Sequence, residues 1–86
     1  IYTVDPVTGV ATVVGSNGAL NLRLSGLEFD DSQNRLYGTT TPAFSASPNS
    51  LVEIDTATGI PTVIALAGAT IENLSSGPSN TLWVWV

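Results

Sequence analysis

The chain has 86 residues, 43% of them hydrophobic and only 10% charged, and it contains neither cysteine nor histidine. Disulfides, Cys/His zinc sites and nucleophilic triads built on cysteine or histidine are therefore excluded. Two basic residues stand against seven acidic ones, for a net charge of −5. Nucleic-acid binding needs more cations than that, and an anionic membrane surface would repel the chain. So short a chain forms one domain at most, and packing, against other copies if needed, must stabilise it.

The first two predicted elements are strands at about 1–5 and 10–15, because both segments are short and rich in β-branched residues. They flank the turn Asp5-Pro6-Val7-Thr8-Gly9. The aspartate side chain is expected to accept backbone N–H groups of the turn, and the glycine to take the left-handed conformation that closes a hairpin.

Four more strands are predicted in the middle of the chain, at 25–30, 35–40, 51–55 and 61–66. Residues 30–34 form the turn between the first two of them. The turn from Asp55 to Gly59 has its aspartate and glycine at the same spacing as the turn of the first hairpin, but it lacks the proline. No segment long enough for a helix lacks a helix breaker, and no apolar run approaches the ~20 residues of a transmembrane helix.

The last two predicted strands lie at 71–75 and 81–86. In the second, Leu82, Val84 and Val86 alternate with Trp83 and Trp85. Both faces of this strand are apolar, which is typical of a sheet buried on both sides.

Two internal repeats, about 46–50 residues apart, have the period of a four-stranded propeller blade. Residues 1–15 match residues 51–65, so that Asp5 coincides with Asp55. Residues 25–37 match residues 72–83 with one residue deleted in the second turn. This second alignment places Leu27 over Leu74 and Leu36 over Leu82.

The stretch SGLEFDDSQNRLYGTT, followed by SLVEIDTATG and PTVIAL, resembles a blade of the YVTN/NHL/quinoprotein-like β-propellers. The resemblance implies an all-β fold of four-stranded antiparallel blades with strands A to D. The chain would then hold two blade equivalents in the order C-D, A-B-C-D, A-B. These are a half blade in 1–24, a complete blade in 25–66 and a half blade in 67–86. A fold of this kind hosts many activities, so it does not name one.

This strand order predicts assembly, because two blades cannot close a ring that needs about four to eight. The trailing A-B pair of one copy would complete the leading C-D pair of the next, head to tail, in a ring of three or four copies or in a filament. The predicted interface residues are Tyr2, Val4, Leu82, Trp83, Val84 and Trp85. The alternative is that these residues belong to a longer propeller chain whose flanking sequence supplies the missing strands.

Polar loops predict a candidate ligand-binding face, since loops on a rigid scaffold commonly carry function. Its residues are Asn17, Asn21, Arg23, Thr41, Phe44 and Ser45, and its ligand would be a glycan or a peptide. The competing interpretation is that Phe44 covers the blade core and that the loop is merely long.

Two carboxylates, Glu28 and Glu72, are predicted at the innermost strands, where copies around a ring would line a channel. They would bind a cation there or simply be solvated. Side-chain oxygens occur at every second residue in Asp30, Ser32 and Asn34, as in the first part of an EF-hand calcium loop. The glycine and the distal glutamate of that loop are missing. Ordinary turn formation explains them, and we expect no metal site and no cofactor.

The function predicted from these features is a non-catalytic, self-assembling β-propeller scaffold, structural or ligand-binding. Abundant Thr, Ser, Asn and Gly without lysine or cysteine favours a location outside the cell. One alternative is a fragment of a larger secreted propeller enzyme, a lyase or hydrolase, whose active site needs other blades. The other alternative is a subunit of a surface filament or layer.

Overall fold

A computed structural model describes residues 1–16, 18, 20, 22–41, 48–66, 71–78 and 81–85. Every regular element in these ranges is a β-strand, which confirms the predicted all-β class. None of the described residues form a helix long and apolar enough to cross a membrane.

Eight strands are present: β1 (Tyr2–Val4), β2 (Ala11–Val13), β3 (Leu24–Asp30), β4 (Arg35–Thr40), β5 (Ser50–Ile54), β6 (Pro61–Leu66), β7 (Asn73–Gly77) and β8 (Thr81–Trp85). They form three antiparallel sheets. We call them the first hairpin (β1–β2), the central sheet (β3–β4–β5–β6, in that order) and the last hairpin (β7–β8). All eight predicted strands are found, most with ends shifted by a residue or two.

The two repeated turns have the same geometry. The carboxylate of Asp5 accepts the backbone N–H groups of positions 7 and 8 at 2.8 and 3.2 Å. That of Asp55 accepts those of positions 57 and 58 at 2.8 and 2.9 Å. Gly9 and Gly59 have φ angles of 76° and 75°, a region that other residues enter at a steric cost. Both predictions for these turns are confirmed.

Side chains of β3 alternate between the two faces of the central sheet. Leu27 and Phe29 point toward the first hairpin and line a cavity with its residues; we call this side the front face. Glu28 points to the opposite side, the back face, where the Ser76 hydroxyl of the last hairpin donates a hydrogen bond to it at 3.0 Å. The central sheet is thus flanked by one hairpin on each face.

The last hairpin packs closely on the back face because Gly26 has no side chain. A Cβ atom there would lie 3.0 Å from the Cα of Asn73. Nearby, Ser25 sits at a β-bulge and its hydroxyl donates to the backbone carbonyl of Ile71. This anchoring, with the side chain of Ile71 buried, explains why β7 begins at Asn73 rather than at the predicted residue 71.

The buried apolar core lies in the central sheet and the last hairpin. Its members among the described residues are Tyr37, Val52, Ile54, Ile71 and Leu74. Buried polar groups at the end of β4 are hydrogen-bonded, as in the bond from the Ser50 N–H to the Thr40 hydroxyl at 2.9 Å. The described part of the first hairpin contributes no buried side chain. It is therefore the least anchored of the three sheets.

Candidate functional site

The first hairpin repeats the pairing of β5 with β6. Its ladder pairs are Tyr2↔Val13, Thr3↔Thr12 and Val4↔Ala11. The corresponding pairs of the central sheet are Val52↔Val63, Glu53↔Thr62 and Ile54↔Pro61. Raising every residue number of the first set by fifty gives the second set. Strand β1 is therefore the structural counterpart of β5.

The last hairpin repeats the pairing of β3 with β4 in the same way. Its ladder pairs are Asn73↔Trp85, Leu74↔Val84, Ser75↔Trp83, Ser76↔Leu82 and Gly77↔Thr81. They match, in order, Gly26↔Thr39, Leu27↔Gly38, Glu28↔Tyr37, Phe29↔Leu36 and Asp30↔Arg35. The turn of the last hairpin is one residue shorter, as the sequence alignment predicts. Strand β8 is thus the counterpart of β4.

These correspondences identify two open strand edges. In the central sheet the counterparts β4 and β5 are hydrogen-bonded neighbours. Among the described strands, by contrast, β8 pairs with β7 alone and β1 pairs with β2 alone. Neither open strand carries a charged residue or a proline, the features with which natural proteins protect exposed edges against pairing. We take these two edges as the candidate functional site.

The predicted interface residues lie on these edges and are largely exposed. The exposed fractions are 57% for Tyr2, 60% for Val4, 66% for Trp83 and 48% for Val84. Leu82 is half-buried, and the side chain of Trp85 lies outside the described part of the structure. Whether these side chains form an interface stays a prediction, but their exposure is a substantial apolar surface for a single small chain.

The front face of β3 is also open. Leu27 is 45% exposed and Phe29 39%, whereas β7 covers the back face of the same strand. A cavity of about 310 Å³ separates these two side chains from Ile1 and Thr3 of the first hairpin. Sequence reasoning missed this surface. The signal that could have found it is the strand order, since the first hairpin brings no counterpart of β7 to cover β3.

A second cavity, of about 220 Å³, adjoins Trp83 on the last hairpin, with Asn73, Leu74, Ser75 and Val84 as its other lining residues. The Trp83 indole lies against Gly77, where a Cβ atom would overlap it. The indole thus contacts the hairpin at Gly77, while most of its surface is exposed. Both cavities lie next to an open strand edge.

Comparison with known proteins identifies no relative. No protein family, no curated protein and no solved structure matches this chain. The candidate site therefore stands on the geometry of its own residues, above all on the repeated ladders and the two open edges.

The predicted ligand-binding face is described only in part. The Thr41 N–H donates to the Arg23 carbonyl at 2.9 Å, so these two residues are neighbours at the end of the β3–β4 pair. Asn17, Asn21, Phe44 and Ser45 lie outside the described residues. The loop face stays a prediction.

The two predicted channel carboxylates have different surroundings. Glu28 is half-buried on the back face and accepts the bond from Ser76. Glu72 is exposed and precedes β7 instead of starting it. Among the residues that the structure describes, no three His, Cys, Asp or Glu side chains lie together as a metal site would require.

The oxygen-rich turn after β3 is held by its own hydrogen bonds. One carboxylate oxygen of Asp30 accepts the Ser32 hydroxyl at 2.7 Å and the Ser32 N–H at 3.0 Å. The other accepts the Gln33 amide at 2.8 Å. The Ser32 hydroxyl, followed by the Gln33 amide and the backbone N–H groups, holds the pKa of Asp30 below its ordinary value despite burial. The N–H groups of Thr58 and then Ala57 lower the pKa of Asp55.

These two lowered pKa values predict loss of stability in acid. The pKa of each carboxyl group is lower in the folded chain than in the unfolded chain, so the unfolded chain binds more protons as the pH falls. Their contribution to the free energy of unfolding is complete above about pH 5 and is lost as the pH falls through the folded pKa values. Urea unfolding between pH 7 and pH 2.5 measures this. Asp30→Asn and Asp55→Asn should each flatten the acid limb, and an unchanged limb in both variants would contradict the assignment.

Proposed function

We propose that this chain is a non-catalytic, self-assembling β-propeller scaffold that works outside the cell. In this proposal the central sheet is a complete blade, and the first and last hairpins are the C-D and A-B halves of composite blades. Each composite blade is built by two copies. Three or four copies would form a ring of six or eight blades, within the range of about four to eight that propellers use.

The observation that carries this proposal is the division of the strands into sheets of two, four and two, with both end pairs repeating pairings of the central sheet. A half sheet buries little apolar surface, and an isolated two-stranded hairpin is marginal in water. The open edges of β1 and β8 can gain hydrogen bonds and apolar burial only by pairing with further strands. The absence of charge on both open edges supports pairing as their role.

A scaffold rather than an enzyme is supported by the side chains available. The chain has no histidine, cysteine or lysine, so no imidazole, thiol or amine side chain can serve as its nucleophile or general base. Both carboxylate oxygens of Asp30 and one of those of Asp55 accept hydrogen bonds within turns. The ligand of such a scaffold would bind the loop face that includes Arg23 and Thr41, where a glycan or peptide is the proposed class.

The mass of the assembled chain in solution tests this function. Size-exclusion chromatography with light scattering, over a hundredfold range of concentration, should give a discrete species of three or four times 8.9 kDa. Heterogeneous species that grow with concentration would instead support the filament or layer subunit. A folded chain that stays at 8.9 kDa throughout would contradict self-assembly and favour a fragment completed by flanking sequence.

A further inference from the structure

We propose a specific strand register between copies: β8 of one copy pairs antiparallel with β1 of a second copy, with Leu82 opposite Val4. The same register sets Trp83 opposite Thr3, Val84 opposite Tyr2 and Trp85 opposite Ile1. It carries the Trp83 indole onto the front face of the second copy, against Leu27 and Phe29. This inference rests on the proposed function and adds to it the partner strand, the register and the pocket that is filled.

The register follows from the pair of strands that is complete within one chain. Strands β4 and β5 pair as Leu36↔Ile54, Tyr37↔Glu53, Gly38↔Val52 and Thr39↔Leu51. The ladders of the two hairpins make β8 the counterpart of β4, with Leu82 at the place of Leu36, and β1 the counterpart of β5, with Val4 at the place of Ile54. When each residue of the β4–β5 pairing is replaced by its counterpart in β8 or β1, the four proposed pairs follow directly, and the register of the strands is not a free choice.

A one-residue slip from this register is disfavoured, because it moves each side chain of a strand to the other face of the sheet. In the proposed register Trp83 lies on the same face as Ile1 and Thr3, which line the cavity over Leu27 and Phe29 together with Tyr2. Neighbouring strands are about 4.8 Å apart, so the indole arrives beside that cavity. The slipped pairing would turn the indole to the face on which Leu82 and Val84 lie in the proposed register.

The counterpart of Trp83 in the central sheet shows what this position becomes in a completed sheet. That counterpart is Tyr37, whose exposed fraction is 6%, against 66% for Trp83. Both residues are aromatic, and each is paired across the ladder with the inner strand, Tyr37 with Glu28 and Trp83 with Ser75. The exposed apolar surface at Leu27 and Phe29 is the matching surface for the indole. Two separate observations, the strand edges and the open front face, therefore point to one partner.

A second copy of this chain is the occupant to which we commit, since each open edge of the chain is complementary to the other. Both edges are uncharged, so their pairing brings no like charges together, although each copy has a net charge of −5. A flanking segment of a longer chain, or an unrelated strand, is distinguished from a second copy by the experiment below.

Disulfide trapping tests the register, because the chain has no cysteine of its own. The variant Val4→Cys/Leu82→Cys carries one thiol on each partner strand at the proposed pair. The control Thr3→Cys/Leu82→Cys is slipped by one residue, and its Cβ atoms point to opposite faces. Thiols with diverging Cβ vectors cannot be bridged without backbone movement, so we expect about tenfold more interchain product from the first variant under mild oxidation. Tyr2→Cys/Val84→Cys is a second in-register variant if the first fails to fold.

The pattern of products separates the register from the proposed function. Interchain disulfides in both in-register variants, ending at the copy number found by light scattering, support the inference. Assembly with equal or preferential trapping in the slipped control overturns the register and leaves the propeller scaffold standing. An intrachain disulfide in a monomer overturns both, because β1 and β8 of one chain would then pair. A monomer without any disulfide also overturns a second copy as occupant.

Discussion

Replacing Trp83 by alanine is expected to leave a folded chain that no longer assembles. The indole is 66% exposed in the single chain, so its removal takes little from the packing of the chain itself. In the proposed assembly it is buried like Tyr37, and truncation of a buried aromatic costs about 3–5 kcal/mol. At each contact between copies that cost weakens the association by roughly two to three and a half powers of ten. Light scattering measures the lost mass, and circular dichroism the retained strands.

The matched control for this prediction is Val7→Ala. Val7 is 92% exposed in the first turn and lies outside both open edges. Its truncation also removes exposed apolar surface, though less than loss of the indole does, and should leave the assembly unchanged. The placement of Trp83 at the contact would be contradicted if the two substitutions had equal effects on assembly. It would also be contradicted if Trp83→Ala unfolded the chain at concentrations below assembly.

Replacing Ile54 by alanine is expected to lower the free energy of unfolding by about 2–5 kcal/mol, as for other fully buried aliphatic side chains. Ile54 is 2% exposed, and its Cδ1 methyl group lies over Gly38 in the central sheet, as do the methyl groups of Leu24. The loss combines removed apolar burial with the cavity left behind, since Gly38 offers no side chain to fill it. Urea unfolding below the concentration of assembly measures the effect on the chain alone.

Val4→Ala is the matched comparison, because Val4 is the counterpart of Ile54 in the repeat but is 60% exposed. Below the concentration of assembly this substitution should change the free energy of unfolding by less than about 0.5 kcal/mol, as at an ordinary surface site. At concentrations where copies associate it should become destabilising, since the residue is then buried opposite Leu82. An equal cost of Val4→Ala at both concentrations would contradict the burial of Val4 between copies.

Much of the local structure is predictable from the sequence because the signals are local. Short β-branched segments between Gly, Pro, Asn and Asp define the strands, and the turns after Val4 and Ile54 follow from an aspartate and a glycine at fixed spacing. The repeats also predict the one-residue difference between the β3–β4 and β7–β8 turns. All of these features depend on residues close together in the chain.

The features that the sequence does not predict depend on contacts between sheets. The bulge at Ser25 and its bond to Ile71 move the start of β7, and neither is visible in a strand pattern. The bond from Ser76 to Glu28 likewise needs two hairpins to be packed. The exposure of Leu27 and Phe29 was missed for the same reason, because an apolar residue in a strand predicts burial without saying which strand covers it.

The central claim, that the two end hairpins are halves of one sheet completed between copies, is tested most directly by isotope-filtered NMR on a mixture of ¹³C-labelled and unlabelled chains. Such spectra record proton–proton contacts across the boundary between copies alone. We predict contacts between the Leu82 and Val4 methyl groups and between the Trp83 indole and the Phe29 ring. The same contacts observed inside a single chain, or an assembled sample in which the boundary runs through other residues, would contradict the claim.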